Sequence, residues 1–487
     1  MRCIKPPREA ENSTFMLFHT PTFAVFFAVV LLAYGLAGQE RRYWPLRKLI
    51  LLAASLIFYM AWRVEHGWIL LACILISFFC AIGIEKASSP RKKLLIFTAA
   101  ILGNILLLAH FKYSSFALRN AADFFDWLGF PSSSPFVEIA LPIGISFYVF
   151  QALSYLIDVW KGRTPACRRV LDFALFISFF PQLIAGPILR SHQMLPQLDE
   201  PRRLRAEAFR YGLGCFAVGL IKKMLLADPL GGLADPLFAQ PQLYGAQALW
   251  VGLYAYAFQI YFDFSGYTDM AIGIAWMLGF RLTKNFDHPY LAFNIRDFWR
   301  RWHITLSTWF RDYVYIPLGG SRCSESRMSA NLVLTMALCG LWHGAGWMFV
   351  LWGIYHGLLL VLYRQYSRIR GKFFSALDLR RAGTILSAAL TFHLVLLGWL
   401  IFRSPSPAIF RQYVGGLIKW DVAAPFPFFQ AMAVVFCFII HAAGARLPFH
   451  EQWHQVRGWL QGVGYAGLML LLYLFSQDTE RFIYFQF

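Results

Sequence analysis

Residues 336–353 read MALCGLWHGAGWMFVLWG. None of these side chains carries a full charge, three are tryptophan, and one histidine, His343, stands between Trp342 and Gly344. A run this apolar belongs at membrane depth, where an ionisable side chain faces a partner or a cavity. The stretch divides at its glycines into an interrupted apolar piece, 331–343, and the start of a spanning run, 346–363. Broken backbone at that depth is tolerated only where protein buries it or it lines a wet cavity. His343 therefore marks the interior of a helical bundle.

Working outward, apolar runs long enough to cross a bilayer recur near 22–38, 48–62, 68–84, 94–110, 136–157, 209–227, 244–262, 384–402, 427–443 and 459–475. Shorter or interrupted pieces lie near 171–188, 268–280 and 303–318, with Pro181, Gly186, Pro187 and Pro317 among them. The chain is 58% hydrophobic and 15% charged, where a soluble protein carries about a quarter charged residues. The strict two-residue alternation of a membrane β-barrel is missing. These features predict an all-α polytopic membrane protein of about 11 transmembrane helices with additional re-entrant or interfacial helices. Residues 1–15 form a polar N-terminal extension without the pattern of a cleavable signal, and Met16 is an alternative start. Residues 16–487 read as a single transmembrane domain, because no polar stretch much exceeds the expected loop 111–135.

The formal charge of +19 comes from short basic clusters between apolar runs, which is membrane topology and argues against nucleic acid as a partner. The loops 39–48, 85–93 and 158–170 each hold several Lys and Arg, while 63–67 and 111–135 hold few. The alternation places the three basic loops in the cytoplasm and the N-terminus outside. Clusters at 364–372, 380–381 and 403–418 leave the C-terminal side open. Eight scattered cysteines without a CxxC pair imply neither zinc nor a disulfide framework.

The densest polar cluster runs from Gln259 to Asp312. Mutual ion pairing is the plain reading of Asp297, Arg301, Arg311 and Asp312. Asp263 and Asp269, six apart in an apolar run with glycine, suit channel lining and pairing equally. A helix begun near Asp297 would place Arg300, His303 and Ser307 on one face at three- and four-residue spacing, with Arg300 and Arg301 able to meet phosphates. His343 taken alone reads as a packed histidine. The glycines around it and the isolated companion His303 shift that reading, since burial favours the neutral imidazole, the form that acts as general base. His356 reads as a packing residue. Motifs for a serine nucleophile, a P-loop, a dinucleotide fold or a HExxH metal site are missing, so metal ligation has no support.

Three blocks carry a resemblance: FDFSGYTDMAIGIAWMLGF from Phe262, NFDHPYLAFNIRDFWRRWHITLSTWFRDYVYIPLGG from Asn285, and NLVLTMALCGLWHGAGWMFVLWGIYHG from Asn331. Together with the opening MLFHTPTFAVFF and the closing FIYFQF, the chain resembles the membrane-bound O-acyltransferases, within them the membrane subunits of alginate O-acetylation. YIPLGG fits that acetylating branch better than the teichoic acid D-alanyl branch. The resemblance implies a helical bundle around a central tunnel, with His343 (in LWHG) and His303 (in RRWH) as the family's catalytic histidines. Asp263, Asp269, Trp342, Arg300 and Arg301 would line the substrate path. The three glycines would leave clearance for an acyl carrier, and the tryptophans would keep water out.

The resemblance further implies an acetyl donor in the cytoplasm, acetyl-CoA, used as a substrate with no bound cofactor. A periplasmic SGNH-type acetyltransferase would complete transfer to a polysaccharide such as alginate, from an enzyme seated in the bacterial inner membrane. Peptidoglycan, cellulose or another exopolysaccharide are alternative acceptors, and D-alanyl transfer an alternative reaction. A non-enzymatic transporter or an export scaffold are the readings from other functional classes.

Overall fold

The computed structural model describes residues 16–130, 139–373, 382–420, 426–447 and 452–475. The N-terminal extension 1–15, the basic pair 380–381 and the closing FIYFQF lie outside them. Each of the eleven expected spans corresponds to a helix, from Pro21–Leu36 to Gly458–Phe475, so the all-α polytopic class holds. Six helices among the described residues are long and apolar enough to cross a bilayer, with three shorter apolar ones at Pro21–Leu36, Ile145–Trp160 and Phe428–Gly444.

Three boundaries differ from the sequence reading: in the expected span 136–157 residues 139–144 are not helical and the helix starts at Ile145. The expected loop 111–135 is helical as far as Trp127, because Pro90–Trp127 is one helix of 38 residues. That is about 57 Å at 1.5 Å per residue, nearly twice a hydrocarbon core. Its second half, FKYSSFALRNAADFFDW, is polar but free of glycine and proline, so hydropathy falls while helicity persists. Likewise the expected short piece 268–280 is mostly the end of a continuous helix, Ala246–Met277.

The chain forms two compact units. The first comprises residues 1–111, 140–209 and 274–281. Its core includes a phenylalanine cluster in which Phe18 meets Phe23 at 4.8 Å and Phe58 meets Phe180 at 5.7 Å. Gln39 Oε1 accepts from the Leu204 amide, Arg169 pairs with Asp199, and Arg168 pairs with Glu85. This chain of contacts places the three basic loops, 39–48, 85–93 and 158–170, on one side of the first unit.

The second unit comprises residues 112–139, 210–273 and 282–487. The Ala246–Met277 helix is buried along most of its length there. It packs against Ala206–Leu220 so closely that a Cβ on Gly219 would stand 2.5 Å from the Gly266 carbonyl oxygen. A Cβ on Gly273 would meet the Gly212 carbonyl oxygen at 2.4 Å. Two glycines seven residues apart on each helix thus bring the backbones together, as small residues do between membrane helices.

Candidate active site

Both histidines belong to the second unit, and each is held differently. The segment expected to run as one helix from Asp297 through Ser307 is broken. Ile295–Arg301 ends one residue before Trp302, and Ile304–Phe310 begins after His303, whose φ of 42° is left-handed. The cause is non-local. Asp287 N–H donates to Arg301 O and Ile304 N–H to Asn285 O, both at 2.9 Å, so the upstream loop captures backbone groups on either side of the break. Arg300, His303 and Ser307 therefore share no continuous helical face.

The Asn285 side chain fixes the His303 ring. Its Oδ1 lies 3.1 Å from the Thr305 amide nitrogen, 2.9 Å from Thr305 Oγ1 and 3.2 Å from His303 Nδ1. An amide N–H only donates, so the Asn285 atom is an acceptor and His303 Nδ1 must be the donor. The neutral ring then carries its lone pair on Nε2, the nitrogen that serves as a base. Phe264 stands edge-on to the ring at 4.7 Å, and both His303 and Asn285 are fully buried.

His343 is the last residue of Glu325–His343. It is buried and boxed by Trp342 at 5.0 Å, Trp352 at 5.1 Å and Phe402 at 5.4 Å between ring centroids. Trp342 lies 6.0 Å from His303 as well, so one indole neighbours both imidazoles. Trp342 and Trp352 wall this histidine as expected, whereas Trp347 is 64% exposed and packs against Phe116 and Asn120 instead.

Two of the three glycines are a correction, whereas a Cβ on Gly346 would meet the Phe349 ring at an ordinary 3.5 Å. A Cβ on Gly340 would stand 2.0 Å from the Phe349 carbonyl oxygen, and one on Gly344 would stand 2.2 Å from the Phe349 ring. Their missing side chains are filled by the next helix, Trp347–Phe373, and leave no clearance for a carrier. His356 packs as expected, 4.9 Å from Trp352, with its Nε2 2.6 Å from where a Cβ on Gly398 of a neighbouring helix would lie.

Asp263 and Asp269 are ion-paired to consecutive lysines. Lys223 Nζ lies 2.8 Å from Asp263 and 2.7 Å from Asp228, while Lys222 Nζ lies 2.6 Å from Asp269. The lysines sit at the start of a π-helical segment, Ile221–Ala227, whose wider turn aims them at acids six residues apart. Two lysines within the apolar body of the expected span 209–227 were the signal for this pairing. Arg301 pairs with Asp297 at 3.0 Å, and Arg300 is exposed. Arg311 and Asp312 pair at 2.8 Å. Outside the spans, a hydrogen bond from Lys284 holds the Asp287 carboxyl below the ordinary carboxylate range. The geometry thus brings His303, His343 and Trp342 together, and gives Asp263, Asp269 and Arg301 ionic partners of their own.

The fold and this site define a class, a polytopic helical membrane protein with two histidines buried in an aromatic interior. A family model described as MBOAT, the membrane-bound O-acyltransferase family, matches residues 169–402. "Probable alginate O-acetylase AlgI" of Pseudomonas syringae pv. tomato is 40% identical over 83% of this chain and 76% of its own length. "Peptidoglycan O-acetyltransferase" of Helicobacter pylori is 37% identical over 83% of this chain and 80% of its own. "Teichoic acid D-alanyltransferase" of Bacillus subtilis is 29% identical over 53% and 68%. The chain belongs to the membrane-bound O-acyltransferase family and is a multi-pass membrane acyltransferase.

Proposed function

We propose that this protein takes an acetyl group from acetyl-CoA in the cytoplasm and delivers it across the inner membrane for O-acetylation of a polysaccharide such as alginate. A periplasmic SGNH-type acetyltransferase finishes the transfer. The observation that carries the reading is the aromatic box that holds His343 beside Trp342 and His303. His343 serves as general base: it takes the proton of an attacking hydroxyl, a carbon–oxygen bond forms at the acetyl carbonyl, the thioester carbon–sulfur bond breaks, and the proton goes to the leaving sulfur. His303, its tautomer set by Asn285, orients or assists. The common side of the three basic loops supports a cytoplasmic face for the first unit that would attract an anionic donor, with the N-terminus outside. The alginate relative is the ground for the acceptor class, and the Helicobacter relative, covered to a similar extent, gives peptidoglycan as the second acceptor.

The test is His343→Ala in cells whose surface polymers are analysed for acetyl content. The variant should insert and accumulate normally while polymer acetylation falls by about two to four orders of magnitude. Wild-type acetyl content would refute the assignment. The polymer that loses acetyl in the deletion strain identifies the acceptor.

A further inference from the structure

A helix leaves its last four carbonyls without intrahelical donors. In the helix that ends at His343 these belong to Gly340, Leu341, Trp342 and His343, and each has a donor. The Gly344 amide reaches Gly340 O at 3.4 Å, and Tyr113 Oη donates to Leu341 O at 2.9 Å. Lys112 Nζ donates to Trp342 O and, at 3.2 Å, to His343 O. The same ammonium lies 5.6 Å from the Trp342 ring centroid. Farther along the Lys112 helix, Asn120 Oδ1 accepts from Trp347 Nε1 at 2.7 Å, just past the glycine turn. A segment more than two hundred residues away in sequence therefore grips both sides of the helix break that follows His343. A cation on terminal carbonyls also meets the negative end of the helix dipole.

We propose that Lys112 is a positioning residue for acyl transfer, its ammonium pinning the Trp342 and His343 carbonyls and so fixing the backbone from which both rings project. The need for a pin follows from the local sequence. Immediately after His343 the chain runs Gly344-Ala345-Gly346, which supplies little stiffness from the C-terminal side. Tyr113 holds the preceding carbonyl and extends the clamp by one residue. Side chains that present a catalytic group need such support, because a displacement of about 1 Å is enough to lose a hundredfold in rate. The inference rests on His343 as the base.

The test uses the full-length protein in membrane vesicles, with labelled acetyl-CoA supplied at the cytoplasmic face and acetyl incorporation into polymer measured against donor concentration. Lys112→Met should accumulate normally, lose about a hundredfold in kcat and keep its KM for acetyl-CoA. Lys112→Arg, which retains a cation with several donors, should recover most of the loss. Wild-type kcat in Lys112→Met would overturn the proposal, as would a raised KM with intact kcat, which would make Lys112 a donor-binding group. A Lys112→Arg variant as poor as Lys112→Met would overturn it too. If Lys112→Met fails to accumulate, Tyr113→Phe carries the test, with a loss of about tenfold in kcat expected and wild-type kcat overturning the clamp. Full activity in His343→Ala would sink the base assignment, whereas a dead His343→Ala beside a fully active Lys112→Met would remove the clamp alone.

Discussion

The buried triad of Lys223, Asp228 and Asp263 allows a prediction in which a second substitution repairs the first. The Lys223 and Asp263 side chains are each 3% exposed and that of Asp228 is 10% exposed. Both carboxylates lie within 2.8 Å of one nitrogen, so the bonded oxygens are no more than about 5.5 Å apart. At an effective dielectric constant of about 20, two like charges at that distance repel by about 3 kcal/mol. Lys223→Met removes the shared cation and leaves that repulsion, or the equivalent price of protonating one acid, within the range of about 3–5 kcal/mol for a broken buried pair. Asp263→Asn leaves Lys223 and Asp228 neutralising each other and loses one charge-assisted contact, about 1.5–3 kcal/mol. The double variant Lys223→Met/Asp263→Asn keeps a single carboxylate, so the mutual repulsion disappears. The expected order of thermal midpoints in detergent, read by the loss of the monodisperse peak on size exclusion after heating, is wild type, then Asp263→Asn, then the double variant, then Lys223→Met. A double variant less stable than Lys223→Met would refute the charge argument. It would mean that Lys223 and Asp263 act through separate contacts.

Two further outcomes follow from packing and hydrogen bonding. Gly219→Ala would place a methyl carbon 2.5 Å from the Gly266 oxygen and 2.8 Å from the Met270 amide nitrogen, both backbone atoms, and should lower the same midpoint by overpacking worth about 1–3 kcal/mol or more. Gly232→Ala, in a helix and with nothing within 4 Å of its new carbon, should leave the midpoint unchanged or raise it, and an equal loss in the two variants would refute the close-approach reading. Asn285→Leu deprives the Thr305 amide, the Thr305 hydroxyl and His303 Nδ1 of a shared acceptor, at a cost on the order of 3 kcal/mol, and should also slow acetyl incorporation by releasing the His303 ring. Wild-type acetylation in that variant would show that the His303 tautomer plays no part.

Which features were legible from sequence follows from the range of the interactions that produce them. The membrane spans depend on local hydropathy, and every expected one is a helix. The Pro90–Trp127 helix outran its prediction because hydropathy reports where the bilayer ends, while helix propensity carried the backbone on to Trp127. The break at His303 was illegible because it is imposed by Asn285 and Asp287, eighteen and sixteen residues upstream, through backbone bonds that leave no periodicity in the segment they interrupt. Gly340 and Gly344 differ from their expected role for a related reason: composition records that a side chain is missing, and only the opposing Phe349 records what fills its place. Lys112 is the extreme case, since the Trp342 and His343 groups it donates to are main-chain carbonyls, which every residue possesses. A catalytic imidazole announces itself by residue type, whereas the group that holds it in register bonds to atoms with no sequence identity. The supports of such a site are therefore found only once the fold brings distant segments together, and Lys112→Met is the substitution that separates the proposed support from the proposed base.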